Sequence, residues 1–174
     1  CVLDQPEQMD IACDVVVNGN PVQMQYLYPN HYLVGPTYFM MAPLFLNLHK
    51  KRKVLRKSVK EVIITLGGSD HHDLIFKVLN ALSSRIQSMA VTVVLGIAFG
   101  KEKELANFIA KKKIDVTIMQ NVPSLAQLLF DSDIAITAGG NTLFERMAIG
   151  TPGMTANQLA VQESISSYFD SKKA

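Results

Sequence analysis

The chain has 174 residues, of which 48% are hydrophobic and 18% are charged, so it is long enough for one ordinary globular domain with a buried core. A net charge of +2 does not indicate a nucleic-acid-binding protein, and Cys1 and Cys13 show no metal-ligand spacing and are typical of a reducing compartment. The sequence has no basic-then-apolar leader and no uninterrupted apolar stretch of about 18 residues. We therefore expect a cytoplasmic protein that is not inserted in a membrane and needs no cofactor.

Two short apolar stretches lie near the start of the chain, Cys1–Asp4 and Asp14–Asn18. Both are typical of parallel strands, but two such strands are too few to make a sheet. The first part of the sequence therefore predicts only a portion of a sheet.

A basic segment, residues 46–60, holds seven of the 17 lysine and arginine residues. Such a run occurs both in nucleic-acid-binding patches and in solvated linkers. No aromatic residue lies between the basic ones and the rest of the chain is not basic, which favours a linker.

From Glu61 the sequence alternates between short apolar stretches and segments with helical spacing of apolar residues. The predicted strands are Val62–Leu66, Val91–Leu95, Asp115–Met119 and Ile134–Thr137. The predicted helices are Leu74–Ile86, Glu102–Lys112, Leu125–Phe130 and Asn141–Ile149. Four strand–helix repeats with short connections predict an α/β fold with a doubly wound parallel sheet, in which ligands bind at the carboxyl ends of the strands. A further strand is expected just before Asn157-Gln158.

Glycine pairs follow the first and the last of these four strands, in Gly67-Gly68-Ser69-Asp70 and in Gly139-Gly140. Glycines let a backbone approach an anion closely, and the N-terminus of the next helix adds N–H donors and a dipole. Either pair can also be an ordinary packing turn, but two pairs on one rim favour a shared anion site. Asn141 or Thr142 is a candidate cap of its helix. Glu145, one turn further on, suits a sugar diol better than a phosphate, which a carboxylate would repel.

Three polar residues after the first glycine turn, His71-His72-Asp73, resemble metal ligands at first sight. Adjacent histidines point in different directions, however, and no third spaced ligand follows, so we expect no metal site. Asp73 is predicted to cap a helix. The two histidines are predicted to lie on the rim, where they could be charge partners of a diphosphate.

The segment from Ser132 to Gln158 resembles a motif of one group of enzymes. The motif is S-D-x-x-I-x-A-G-G-x-T-x-x-E-x-x-x-x-G-x-P followed shortly by N-Q. This sequence matches it at Ser132-Asp133, Ala138-Gly139-Gly140, Thr142, Glu145, Gly150, Pro152 and Asn157-Gln158. It resembles the diphosphate- and ribose-binding segment of GT-B-type enzymes that use UDP-sugars. Within that group the chain is similar to the UDP-sugar hydrolase of pseudaminic acid biosynthesis and its spore-coat polysaccharide relatives, which also carry G-G-S-D, as at Gly67–Asp70.

The resemblance implies that residues 61–174 form a Rossmann-like C-terminal domain that binds a UDP-sugar. Such enzymes commonly read the uracil with backbone groups at the position of Asn121-Val122, although an ordinary loop fits that stretch as well. The expected UDP-binding residues are Gly67, Gly68, Ser69, Asp70, Asn121, Val122, Gly139, Gly140, Asn141, Thr142, Glu145, Asn157 and Gln158.

The resemblance extends to the start of the chain, where Asp14, Asn18, Asn20 and Gly35–Tyr38 match the end of the family's N-terminal domain. It implies that residues 1–45 are the tail of a truncated N-terminal domain, that residues 46–60 are a basic linker, and that the family's closing helices are absent after Phe169.

The family's catalytic base is a histidine early in its N-terminal domain, and this sequence has no matching segment. The resemblance thus implies the UDP-binding half of a hydrolase that removes UDP from a diacetamido-trideoxy sugar, inactive alone. The alternatives are a GT-B glycosyltransferase and a non-catalytic nucleotide-sugar-binding module.

Overall fold

A computed structural model of the chain describes residues 2–3, 14–21 and 32–172. Cys1, Asp4 and Cys13, which took part in the expectations above, lie outside the described residues. Near the start, strands β1 (Val2–Leu3), β2 (Val16–Asn18) and β3 (Tyr32–Val34) form a parallel sheet in the order β1-β2-β3. The third strand was not predicted. A single turn of 3-10 helix, Pro36–Tyr38, follows it.

The remaining strands form a five-stranded parallel sheet in the order β6-β5-β4-β7-β8, which confirms the predicted α/β fold. Its strands are β4 (Glu61–Thr65), β5 (Ala90–Leu95), β6 (Thr117–Gln120), β7 (Ile134–Thr137) and β8 (Gly153–Thr155). The helices are α1 (Pro43–His49), α2 (Leu74–Leu82), α3 (Glu102–Lys112), α4 (Ala126–Asp131), α5 (Asn141–Ala148) and α6 (Ala160–Ser171).

Two boundaries differ from the predicted ones by more than one residue, and one helix was not predicted. Helix α2 stops at Leu82, and a separate turn of 3-10 helix, Ile86–Ser88, continues the chain. Strand β6 begins at Thr117 instead of Asp115, because it is an edge strand whose pairing with β5 starts at Thr92 and Thr117. Helix α6, which buries a single residue, Ile165, was not predicted.

The core lies on both faces of the large sheet, as the alternation of side chains along a strand requires. On β4, Val62 and Ile64 face one apolar cluster, which also contains Ile75 and Leu79 of α2. Ile63 faces a second cluster, formed with α1 and α4. Full burial of each large aliphatic side chain stabilises the fold by about 1.5–3 kcal/mol.

Helix α1 belongs to this core, because Phe45 and Leu48 are buried in the second cluster. The helix therefore includes residues 46–49 of the predicted linker. Beyond α1, the basic segment is bonded to residues at the amino ends of the strands of the large sheet. Lys53 donates hydrogen bonds from Nζ to the carbonyl oxygens of Phe130 and Ser132, and Arg56 pairs with Asp133 at 3.0 Å.

Asp133, one of the motif residues, is engaged at the same end of the sheet. Its Oδ2 accepts hydrogen bonds from the backbone N–H groups of Lys60 and Glu61 at 2.7 and 2.9 Å. Burial opposes ionisation of this carboxyl, but the two N–H donors and Arg56 outweigh it and lower its pKa. Asp133 therefore stabilises the start of β4, at the end of the sheet opposite the glycine turns.

Candidate functional site

The two predicted glycine turns lie side by side. Strands β4 and β7 pair directly, with Thr65 opposite Thr137, so the turns that follow them leave the same rim of the sheet. A third glycine, Gly96 at the end of β5, allows the close packing of this rim, because a Cβ there would overlap the carbonyl oxygens of Gly67 and Gly68. Sequence reasoning missed Gly96, although a glycine directly after a buried parallel strand was the available signal.

A first cavity of about 520 Å³ opens at this rim, at the carboxyl ends of β4 and β5. It has largely apolar walls that include Val94, Leu125 and Ile97, whose side chain is 87% exposed at the mouth. Five of the residues predicted from the sequence line it: Gly67, Gly68, Asn121, Val122 and Thr142. The structure thus brings together both glycine-turn regions and the Asn121-Val122 loop.

A second cavity, of about 330 Å³, lies between the small sheet and α5. Gly19 and Asn20, which follow β2, face Gly140 and Asn141 across it. Its aromatic wall is formed by Phe39 and Phe144, whose rings stack at 4.2 Å, and a Cβ on Gly19 would lie only 2.8 Å from the Phe39 Cα.

A third cavity, of about 310 Å³, connects the other two. It shares Gly67 and Gly68 with the first cavity and Leu159 and Gln162 with the second. Its remaining walls are Ser69, His71, His72 and Gln158. Ser69 and Gln158 are predicted site residues, so nine of the thirteen predicted residues line one of the three cavities: Gly67, Gly68, Ser69, Asn121, Val122, Gly140, Asn141, Thr142 and Gln158.

The N-terminus of α2 is already occupied by a carboxylate. Asp70, which is 2% exposed, accepts hydrogen bonds from the N–H groups of Leu74 and Ile75, both at 2.9 Å. The prediction that Asp73 caps this helix is wrong, because its side chain forms no cap and pairs with Lys101 at 2.5 Å. An anion therefore cannot use the N–H groups that Asp70 occupies.

The N-terminus of α5 has a different arrangement. Gly140 is the residue before the helix, and Asn141 and Thr142 are its first two helical residues, so the prediction that one of them caps it is wrong. Within the described part of the chain, no side chain caps this helix. Its first two residues are Asn141, which lines the second cavity, and Thr142, which lines the first. The positive end of the helix dipole and the first-turn N–H groups therefore lie beside these two cavities.

The last two predicted residues brace the rim. The Gln158 side chain donates from Nε2 to the Leu66 carbonyl and accepts from the His71 backbone N–H at 3.1 Å. Asn157 donates from Nδ2 to the Ser166 hydroxyl at 2.7 Å, and its Oδ1 lies where a Cβ on Gly139 would be. These contacts hold the segment after β8 against both glycine turns.

Glu145 lies one turn after Asn141 on α5 but lines none of the three cavities. Its side chain is partly buried, and this burial raises the pKa of its carboxyl. Gly139 and Asp70 are buried beside the rim and do not line these cavities either.

Neither a metal cluster nor a membrane span is found in the described ranges. Among those residues, no group of three His, Cys, Asp or Glu side chains is placed to hold a metal ion. Over the same ranges, every helix is too short or too polar to cross a bilayer.

No protein-family profile matches the chain. It is 31% identical over 160 residues to an uncharacterized protein of Methanocaldococcus jannaschii, covering 88% of this chain and 33% of that protein. It is 30% identical over 162 residues to the spore coat polysaccharide biosynthesis protein SpsG of Bacillus subtilis, covering 92% and 44%. The chain therefore spans less than half the length of either relative.

Two crystal structures share the fold. TarM aligns with a TM-score of 0.54 at 10% identity, over 90% of this chain and 36% of TarM. A point mutant of S. aureus TarM, crystallised with fondaparinux, alpha-GlcNAc-glycerol and UDP, aligns with a TM-score of 0.50 at 11% identity, over 88% and 36%. The five-stranded domain is thus the Rossmann-like domain of a GT-B fold.

Proposed function

We propose that this chain is the nucleotide-binding part of a glycosyltransferase-like enzyme of polysaccharide biosynthesis, which transfers a sugar from a UDP-sugar to an acceptor. The observation that carries the proposal is the uncapped N-terminus of α5 beside an apolar cavity on the glycine rim. Two comparisons support it, because the TarM mutant was crystallised with UDP and SpsG is named for spore coat polysaccharide biosynthesis.

The proposed arrangement places each part of the nucleotide against matching chemistry. The uracil enters the first cavity, where Val122 and Leu125 contact its faces and backbone groups of the Asn121-Val122 loop pair with its edge. The diphosphate lies at the first turn of α5, near Asn141 and Thr142. The ribose hydroxyls donate to Glu145 after a side-chain rotation toward the rim.

The sugar occupies the second cavity in this arrangement, between Asn20 and Asn141 and above the stacked Phe39 and Phe144 rings. Transfer breaks the bond between the sugar and the diphosphate, so negative charge develops on the leaving phosphate. Fixed N–H donors at a helix N-terminus stabilise such charge without reorganising, which lowers the barrier.

A second candidate is hydrolysis of the UDP-sugar, in which water takes the place of the acceptor. It is favoured by the Gly35–Tyr38 stretch, which resembles the hydrolase pattern. This stretch forms a 3-10 turn that leads directly into Phe39 of the second cavity, and Tyr38 is 42% exposed.

Calorimetric titration with UDP, CMP and ADP, with and without magnesium, tests the nucleotide assignment. We expect UDP to bind in preference to the other two, without a requirement for magnesium. Equal binding of all three nucleotides, or none, would contradict it. Exposed Lys77 on α2 lines none of the cavities, so Lys77→Ala is the control variant.

Product analysis of a longer protein that contains this chain then separates the reactions. Sugar attached to an acceptor supports transfer, free sugar plus UDP supports hydrolysis, and UDP binding without any turnover supports the non-catalytic module.

A further inference from the structure

The three cavities, together the groove, adjoin one another through shared lining residues. Among the described residues, no ionisable side chain lines the first or second cavity, and two line the third, those of His71 and His72. Since a diphosphate is strongly anionic, these histidines are, within the described part of the groove, the side chains that can offer it a positive charge.

The third cavity also has the right position along the groove. It shares Gly67 and Gly68 with the cavity assigned to the base, and Leu159 and Gln162 with the cavity that reaches the N-terminus of α5. A ligand that follows the Gly67-Gly68 turn out of the base cavity therefore lies beside the two histidines.

Within the described ranges, the charged groups near this cavity are already engaged or lie outside it. Lys101 is paired with Asp73, and the Asp70 carboxylate accepts from two N–H groups of α2. Glu163 on α6 is exposed and does not line the cavity. Because Asp70 places a negative charge in the same loop, a diphosphate beside Gly67-Gly68 needs a cation to offset it.

The backbone of the histidine pair is held in place while its side chains reach solvent. The Gln158 Oε1 accepts the His71 N–H at 3.1 Å, and the same side chain is bonded to Leu66 at the end of β4. Both His71 and His72 are exposed, so their imidazoles can turn toward a ligand in the third cavity.

We propose that His71 and His72 bind the diphosphate of the nucleotide-sugar and neutralise its charge, a role that rests on the proposed function. Each imidazole donates an N–H to a phosphate oxygen, a hydrogen bond that the negative charge of the phosphate strengthens. The histidines thereby substitute for the lysine or arginine that often contacts phosphates, and they complement the helix dipole of α5.

The test compares UDP with uridine, which has the same base and ribose but no phosphate. In the H71Q/H72Q variant we expect UDP affinity to fall about 10- to 100-fold, the loss of charge-assisted hydrogen bonds, while uridine affinity is unchanged. The H71K/H72K variant restores most of the UDP affinity, because lysine supplies the charge without the imidazole ring. The matched control is Lys77→Gln, which removes a positive charge from the exposed face of α2 and leaves both affinities unchanged.

Each other outcome overturns the proposal. Unchanged UDP affinity in H71Q/H72Q would remove the histidines from the diphosphate site and leave the proposed function standing. An equal loss of uridine and UDP affinity, or a loss that lysine does not restore, would show a structural role. Failure of the unmodified chain to bind UDP would overturn both proposals. Thermal melting of each variant confirms that the compared proteins are folded.

Discussion

The side-chain amide of Gln158 donates a hydrogen bond to the backbone carbonyl of Leu66 and so joins the segment after β8 to the end of β4. The two residues are far apart in the sequence and meet because β4 and β8 both flank β7 in the sheet. The same Gln158 side chain accepts the N–H of His71 at 3.1 Å. One side chain therefore fixes both ends of the first glycine turn.

Replacing Gln158 with alanine should lower both stability and nucleotide affinity. Loss of two hydrogen bonds, one partly buried and one exposed, costs about 1–3 kcal/mol in free energy of unfolding. UDP binding weakens further, because the glycine turn is no longer held in one position. Chemical denaturation and calorimetry measure the two effects. Gln127→Ala is the control, since that side chain bonds to Asp131 on the exposed face of α4 and its loss should cost under about 0.5 kcal/mol.

Asp70 is expected to contribute to stability through its cap of α2. Asp70→Ala leaves the N–H groups of Leu74 and Ile75 without their acceptor and should lower the free energy of unfolding by about 1–2 kcal/mol. Asp73→Ala is the matched control, because the Asp73–Lys101 pair is largely exposed and solvent screens it, so its loss should cost less stability than the loss of the Asp70 cap. Equal losses in the two variants, measured by urea unfolding, would contradict the assignment of the cap to Asp70.

The sequence predicted the large-scale fold well because its signals are local and regular. Buried strands such as Ile134–Thr137 are continuous apolar runs, α2 has strong apolar periodicity, and α3 has acidic and basic residues at the appropriate ends. The site was harder to predict. The sequence predicted Asp73 as the cap of α2, whereas the Asp70 carboxylate accepts the N–H groups of Leu74 and Ile75 because the loop folds back over the start of the helix. Gly96 and the third cavity depend on contacts between distant segments.

Substitutions at two glycines on the rim should distinguish an effect on stability from an effect on nucleotide binding. A Cβ on Gly96 would lie 2.5 Å from the Gly68 Cα and overlap two carbonyl oxygens, so Gly96→Ala should cost about 1–3 kcal/mol in stability. A Cβ on Gly68 meets nothing within 4 Å, and Gly68 lines the groove. Gly68→Ala should therefore leave the melting temperature unchanged and weaken UDP binding, because the methyl group enters the ligand's space.

The measurements for this pair are thermal melting and UDP titration. Gly100→Ala is the control, since a Cβ there also meets nothing within 4 Å and Gly100 lines none of the three cavities. If Gly68→Ala bound UDP as well as the unmodified chain, the nucleotide would not run along the Gly67-Gly68 turn.

Glu145 should reduce stability at neutral pH while supporting nucleotide binding. Burial raises the pKa of its carboxyl in the folded chain above the value in the unfolded chain. The folded state therefore holds this proton more tightly, and ionisation of Glu145 opposes folding at every pH above the raised pKa. This cost fades as the pH falls, and it disappears below the unfolded-state pKa of about 4.3.

Glu145→Gln should accordingly raise the melting temperature at pH 7, and the difference from the unmodified chain should vanish toward pH 4. Glu163→Gln, on the exposed surface of α6, should show no such difference. If Glu145 also accepts the ribose hydroxyls, Glu145→Ala should weaken UDP binding by about 1.5–3 kcal/mol, the contribution of a hydrogen bond to a charged group. A stability gain together with this loss would identify Glu145 as a binding residue retained at a cost to folding. A stability gain with unchanged UDP affinity would remove it from the nucleotide site.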